Sequence, residues 1–139
     1  MNYLLDTCVL SEFTRRQPDA RVVAWLDAMN EEQLFISAVT IGEVQRGIQR
    51  LPDSRRKTEL AVWMDNGLTA RFAGRIVSID AATMYLWGSL VARLEAAGQP
   101  IGVMDSLILA SAVQNNLIIV TRNTADFTPS GAQVINPWG

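Results

Sequence analysis

The sequence predicts an α/β fold, a three-layer sandwich in which helices cover both faces of a central, mainly parallel sheet. Three observations carry this reading. Short apolar runs alternate along the chain with longer stretches of helical periodicity, the pattern of strand–helix–strand units. The run Leu117 to Thr121 is continuously β-prone, as a central parallel strand buried on both faces requires. Hydrophobic residues make up 49% of the 139 residues and charged residues 19%. That is enough for one sizeable core in a single domain spanning residues 1–139, and too apolar for a disordered chain.

Asn2 to Leu5 is an apolar run followed by Asp6 and Thr7, which fits a buried strand ending at a helix cap. After Pro18 and Asp19, residues Val22, Val23, Leu26 and Met29 recur at helical spacing and define an amphipathic helix. Leu34 to Ser37 reads as a second strand. Val39 to Leu51 reads as a helix stopped by Pro52, with Ile41, Val44 and Ile48 on one face. Asp53 or Ser54 caps a longer helix running to about Phe72, and Gly74 ends that segment. Ile76 to Ile79 is expected as a third strand, and Asp80 then opens a helix that stops at Gly98-Gln99-Pro100. Gly102 to Asn116 is a further helix, Leu117 to Thr121 a strand, and Val134 with Ile135 a short last strand.

Composition narrows the chemistry. The chain has 12 basic and 14 acidic residues, no histidine and one cysteine, Cys8. A uniformly basic nucleic-acid coat is excluded, although a local basic patch is not. Histidine-based catalysis, structural zinc and an intramolecular disulfide are excluded as well. The longest charge-free run, Ser106 to Thr121, is 16 residues and contains Gln114, Asn115 and Asn116, too short and too polar to span a bilayer. With no secretory leader or membrane span visible, a cytoplasmic location is expected.

Four acids occupy apolar or strand-end positions: Asp6 after Tyr3-Leu4-Leu5, Glu43 after Ile41, Asp105 before Leu107-Ile108-Leu109, and Asp126 in the turn after Leu117 to Thr121. Each taken alone is explained by a helix cap or an ion pair, except Glu43, which lies inside a helix on or beside its apolar face. In parallel sheets the functional crevice lies outside the carboxyl ends of the strands. Carboxylates gathered there need a counterion, and these positions lack an obvious lysine or arginine for each. A hard divalent cation such as Mg²⁺, or Mn²⁺, is the simplest counterion, and it can hold a phosphate oxygen and activate water without histidine.

Four segments then stand together: Leu4-Leu5-Asp6-Thr7; Ser37-Ala38-Val39-Thr40-Ile41-Gly42-Glu43; Gly102-Val103-Met104-Asp105-Ser106-Leu107-Ile108-Leu109-Ala110; and Thr121-Arg122-Asn123-Thr124-Ala125-Asp126-Phe127. In order and spacing they resemble the four motifs of PIN-domain nucleases. The resemblance covers nearly the whole chain. With Trp25-Leu26 and Asn136-Pro137-Trp138, it is similar to the VapC toxins of type II toxin-antitoxin modules, especially the FitB-like branch. The resemblance implies a PIN-like α/β/α sandwich and an Mg²⁺-dependent ribonuclease that hydrolyses RNA phosphodiesters by metal-activated water. It also implies a cognate VapB-type antitoxin as partner, with DNA reached only through that antitoxin. Residue by residue, it implies that Asp6, Glu43 and Asp105 are catalytic, metal-binding acids and Asp126 the fourth. Asn123 stands where some relatives carry that acid, while Thr7 and Thr121 orient the group through their hydroxyls. Cys8 departs from the asparagine frequent in the family and reads as a small buried hydrophobe.

The basic residues are 11 arginines and one lysine, a bias suited to bidentate phosphate contacts. Arg46 and Arg50 share a helix face one turn from Glu43 and are candidate substrate-binding residues. The alternative for them is a solvated face. Trp25, Trp63 and Trp87 fall on apolar helix stripes, which favours core or subunit packing over base stacking. The apolar helices between Arg55 and Leu94 lead to the expectation of a homodimer. Two rival functions use the same residues differently. One is a weakly catalytic module that joins an antitoxin in a DNA-binding repressor complex. The other, a receiver-type phosphoacceptor, needs a lysine after a late strand, and the only lysine is Lys57.

Overall fold

A computed structural model describes all 139 residues. Five strands form one sheet in the order β3-β2-β1-β4-β5, and every neighbouring pair runs parallel. The chain enters through β1 (Tyr3–Leu5), α1 (Thr7–Glu12) and α2 (Ala20–Ala28), then β2 (Leu34–Ser37) and α3 (Ala38–Gln49). It continues through α4 (Arg55–Val62), a π-helical segment Trp63–Leu68 and the short α5 (Thr69–Arg71) to β3 (Ile76–Val77). The remainder is α6 (Ala81–Ala96), α7 (Val103–Gln114), β4 (Ile118–Val120), α8 (Thr124–Phe127) and β5 (Val134–Ile135). β1 is central, with Tyr3 opposite both Leu34 and Ile118.

Strand alternation divides the core in two. Leu5, Ile36 and Val120 face one side and pack with Val9, Leu10, Val22, Leu26 and Phe72. Leu4 and Ile119 face the other and pack with Leu90, Leu94, Ile108, Leu109 and Phe127. β1 and β4 are buried throughout, which is why their sequence is a continuous apolar run and not an alternation. Helix starts are fixed by caps: the side chain of Asp6 accepts the Thr7 N–H, Ser37 that of Val39, Ser54 that of Lys57, and Asp80 that of Thr83. α6 ends at Gly98, whose φ of +71° is the left-handed conformation glycine adopts without strain.

Two expected elements differ. The stretch from Asp53 to Phe72 is helical without a break from Arg55 to Arg71, but it is not regular, because the middle of the run, Trp63–Leu68, widens into a π-helical turn between α4 and α5. A Cβ on Gly67 would stand 3.1 Å from Cδ1 of Trp63, so the missing side chain is what lets the indole lie against the wide turn while Met64 and Leu68 reach the core. The third strand is also shorter than Ile76 to Ile79. Only Ile76 and Val77 pair, opposite Ile36 and Ser37, because β2 itself ends there.

Candidate active site

The site is built at the carboxyl ends of β1, β2 and β4. Asp6 follows β1 and is 4% exposed. Its backbone N–H donates to the carbonyl of Val120, so the first residue past β1 remains tied to β4. One carboxylate oxygen of Asp6 accepts the Thr7 N–H at 2.8 Å, and the other accepts the Thr121 hydroxyl at 2.7 Å. Thr121 Oγ1 also accepts the backbone N–H of Asn123 at 3.0 Å, which turns the chain into α8. On the opposite wall, Glu43 projects from the second turn of α3, and its Oε1 accepts the Thr7 hydroxyl at 2.6 Å. Asp105 lies in the first turn of α7, and Asp126 sits exposed on α8, the single helical turn that follows β4.

None of these four acids makes an ion pair; the pairs in the molecule involve Glu12, Asp19, Glu31, Asp53 and Glu59 instead. Their mutual charge is felt at Asp105. Partial burial, and then the charges of Asp6, Asp126 and Glu43, push its carboxyl up to about 6. The four acids therefore share one electrostatic neighbourhood. No three acidic or cysteine side chains stand close enough together to enclose one ion, and Asp6 and Glu43 are each held in place by a threonine hydroxyl, from Thr121 and Thr7. The donor set is hard oxygen with no histidine and no neutralising base, which fits Mg²⁺ or Mn²⁺ and not a softer metal.

Beside Glu43 a cleft opens between α1, α3 and α4, lined by Thr7, Ser11, Thr14, Gly47, Leu60 and Trp63. Arg46 and Arg50 follow Glu43 along α3, both exposed and neither in an ion pair. Trp63 thus forms a wall of this cleft. Trp25 meets Tyr3 edge to face at 5.1 Å, and the Trp87 indole N–H donates to Ser106 Oγ at 2.8 Å.

Cys8 is half-buried and is more than an apolar filler. Its thiol lies 3.8 Å from Asp6 Oδ2 and 3.5 Å from Thr121 Oγ1, and its sulfur accepts the Arg122 N–H at 3.5 Å. Burial pushes the thiol up, so it stays protonated and serves as a polar link between α1 and the turn after β4. Sequence reasoning missed Glu12, which is 3% exposed. It binds Arg15, the Asp19 N–H and the Trp138 indole. The only signal was a glutamate two residues after the apolar Val9-Leu10 pair.

A parallel sheet that gathers unpaired carboxylates at its strand ends, with hydroxyls holding them in place, defines an acid-crevice α/β protein. The profile of the PIN domain family matches residues 3–128. The chain belongs to that family. It is 38% identical over 135 residues to plasmid stability protein StbB of Pseudomonas syringae pv. tomato, covering 97% of each chain. It is 34% identical to VapC ribonuclease Y4jK of Sinorhizobium fredii, covering 97% of this chain and 96% of that one. Among solved structures, FitAB bound to an IR36 DNA fragment superposes with a TM-score of 0.94 at 35% identity, covering 99% of this chain and 96% of that chain.

Proposed function

We propose that this chain is a divalent-metal-dependent endoribonuclease, the toxin of a VapBC-type toxin–antitoxin module, which hydrolyses RNA phosphodiester bonds. One observation carries the reading. Four carboxylates share the crevice without a single basic partner, and the carboxyl of Asp105 rises to about 6 in response to its burial and to the other three. Asp6, Glu43, Asp105 and Asp126 would hold the ion. A bound divalent cation supplies Lewis acidity toward a phosphodiester oxygen and makes water a competent nucleophile near neutral pH. Thr7 and Thr121 hold Glu43 and Asp6 by hydroxyl donation, so the carboxylates are oriented before substrate arrives. Arg46 and Arg50 bind the RNA backbone alongside. The chain's similarity to a protein named VapC ribonuclease supports RNA as substrate, and its likeness to FitAB on DNA supports a partner through which DNA is contacted. No helix is long and apolar enough to cross a membrane.

The test is cleavage of single-stranded RNA by the purified chain. Activity should appear with Mg²⁺ or Mn²⁺ and vanish in a chelator, and activity surviving complete chelation would overturn the metal reading. Mn²⁺ titration by calorimetry should show Asp126→Asn weakening binding more than Asn123→Ala, because only the carboxylate adds charge. The reverse order reassigns the fourth position to Asn123. A second reading, a weakly catalytic module acting only in a DNA-binding complex, is favoured by the DNA-bound neighbour. It predicts no cleavage that Asp6→Ala or Asp105→Asn abolishes.

A further inference from the structure

Arg122 immediately follows Thr121, whose hydroxyl holds Asp6, and its own N–H donates to Cys8 Sγ. Its backbone is therefore anchored to the acid crevice. Its side chain makes no ion pair. Instead the guanidinium carbon lies 4.6 Å from the ring centroid of Trp138, within the range of a cation–π contact.

The ring beneath it is firmly held. Trp138 is 5% exposed. Its indole N–H donates to Glu12 Oε1 at 3.3 Å, and its backbone N–H donates to Asn136 Oδ1 at 2.9 Å. Glu12 is itself fixed by Arg15 at 3.0 Å and by the Asp19 N–H at 3.2 Å. The charge of Glu12 is answered by Arg15, so Glu12 does not consume that of Arg122.

Stacking engages the face of a guanidinium and leaves its in-plane N–H donors free, and those donors match the oxygens of a phosphate two at a time. The ring holds the cation beside the turn that follows β4, so part of the loss of side-chain freedom on binding is already met.

Resting on the ribonuclease reading above, we propose that Arg122 is a phosphate-binding residue of the RNA site and that Trp138, seated on Glu12, is its positioning residue.

The experiment has two parts. Steady-state cleavage of single-stranded RNA is measured for the full chain and for Arg122→Ala, Arg122→Lys, Trp138→Leu and the Arg122→Ala/Trp138→Leu double variant. Binding of fluorescently labelled single-stranded RNA is titrated against salt in an Asp105→Asn background, with and without Arg122→Ala. Arg122→Ala is expected to raise KM about tenfold with kcat within about twofold, and to make the salt dependence of binding shallower by about 0.7 in log–log slope, one phosphate contact on a single strand. Trp138→Leu should reproduce the KM rise and add nothing further in the double variant. Arg122→Lys should restore the salt slope but not KM, since the charge returns without the planar fork.

A folded Arg122→Ala chain with unchanged KM and unchanged slope overturns the proposal. So does a loss confined to melting temperature, which would make Arg122 a mere cover for the tryptophan. If the unmodified chain neither cleaves nor binds RNA, the ribonuclease reading falls first and takes this one with it.

Discussion

Asp105 is the residue at which the crevice's electrostatics can be read. Its carboxyl is raised from 3.8 to about 6, first by burial and then by Asp6, Asp126 and Glu43. A raised acid binds its proton more tightly folded than unfolded, so without metal the fold loses stability as pH climbs from about 4 to about 6, and the penalty stays constant above that. Asp105→Asn removes the charge. In chelator at pH 7 it should raise unfolding stability by about 1 kcal/mol, kept small because water screens the exposed part of the group. The gain should disappear at pH 4, while RNA cleavage with Mg²⁺ is lost. Denaturant titrations at the two pH values check the sign, and a variant less stable than the parent at pH 7 would contradict it. The four acids were legible in sequence because each sits at a strand end or on an apolar face, where a bare charge is out of place. Glu12 was not, because the partner that gives it meaning, Trp138, is far away in sequence and comes beside it only in the fold.

Among elements, the α6–α7 contact decides where Asp105 stands. Ser106, buried in the first turn of α7, accepts the Trp87 indole N–H at 2.8 Å and donates to the Val103 carbonyl at 2.6 Å. One hydroxyl thus ties α6 to the turn that carries the neighbouring acid. Ser106→Ala leaves the indole N–H without its partner and should destabilise the chain by about 1–2 kcal/mol, with a drop in cleavage larger than the stability loss accounts for. Thermal melts alongside kcat measurements distinguish this from simple unfolding. Trp87 was expected to pack, and its apolar spacing said so; its hydrogen bond was invisible because Ser106 lies on a different helix. The strands and most helix starts could be read from apolar runs and capping residues such as Ser37, Ser54 and Asp80. The π-helical turn could not, since it depends on the indole of Trp63 finding the bare face of Gly67.

At the scale of the whole molecule, α6 and α7 leave apolar side chains in solvent: Tyr85 is 83% exposed, Val103 65% and Met104 48%. A homodimer covering part of this surface is expected, and sedimentation at micromolar concentration should find one. Tyr85→Glu should shift it to monomer without lowering the melting temperature. Trp63→Glu should unfold the chain instead, because Trp63 packs against the core and walls the cleft beside Glu43. A monomeric parent excludes the dimer.

The strand order has a temporal consequence. β1 takes its second neighbour from Ile118–Val120, and Asp6 acquires the Thr121 hydroxyl only when that late strand docks. A ribosome that has released the first half of the chain has delivered Asp6 and Glu43 but neither Asp105 nor the strand that seats them. At roughly 5–20 residues per second, the growing polypeptide lacks a complete crevice for roughly 6–24 s, and the four acids come together only in the closing moments of synthesis.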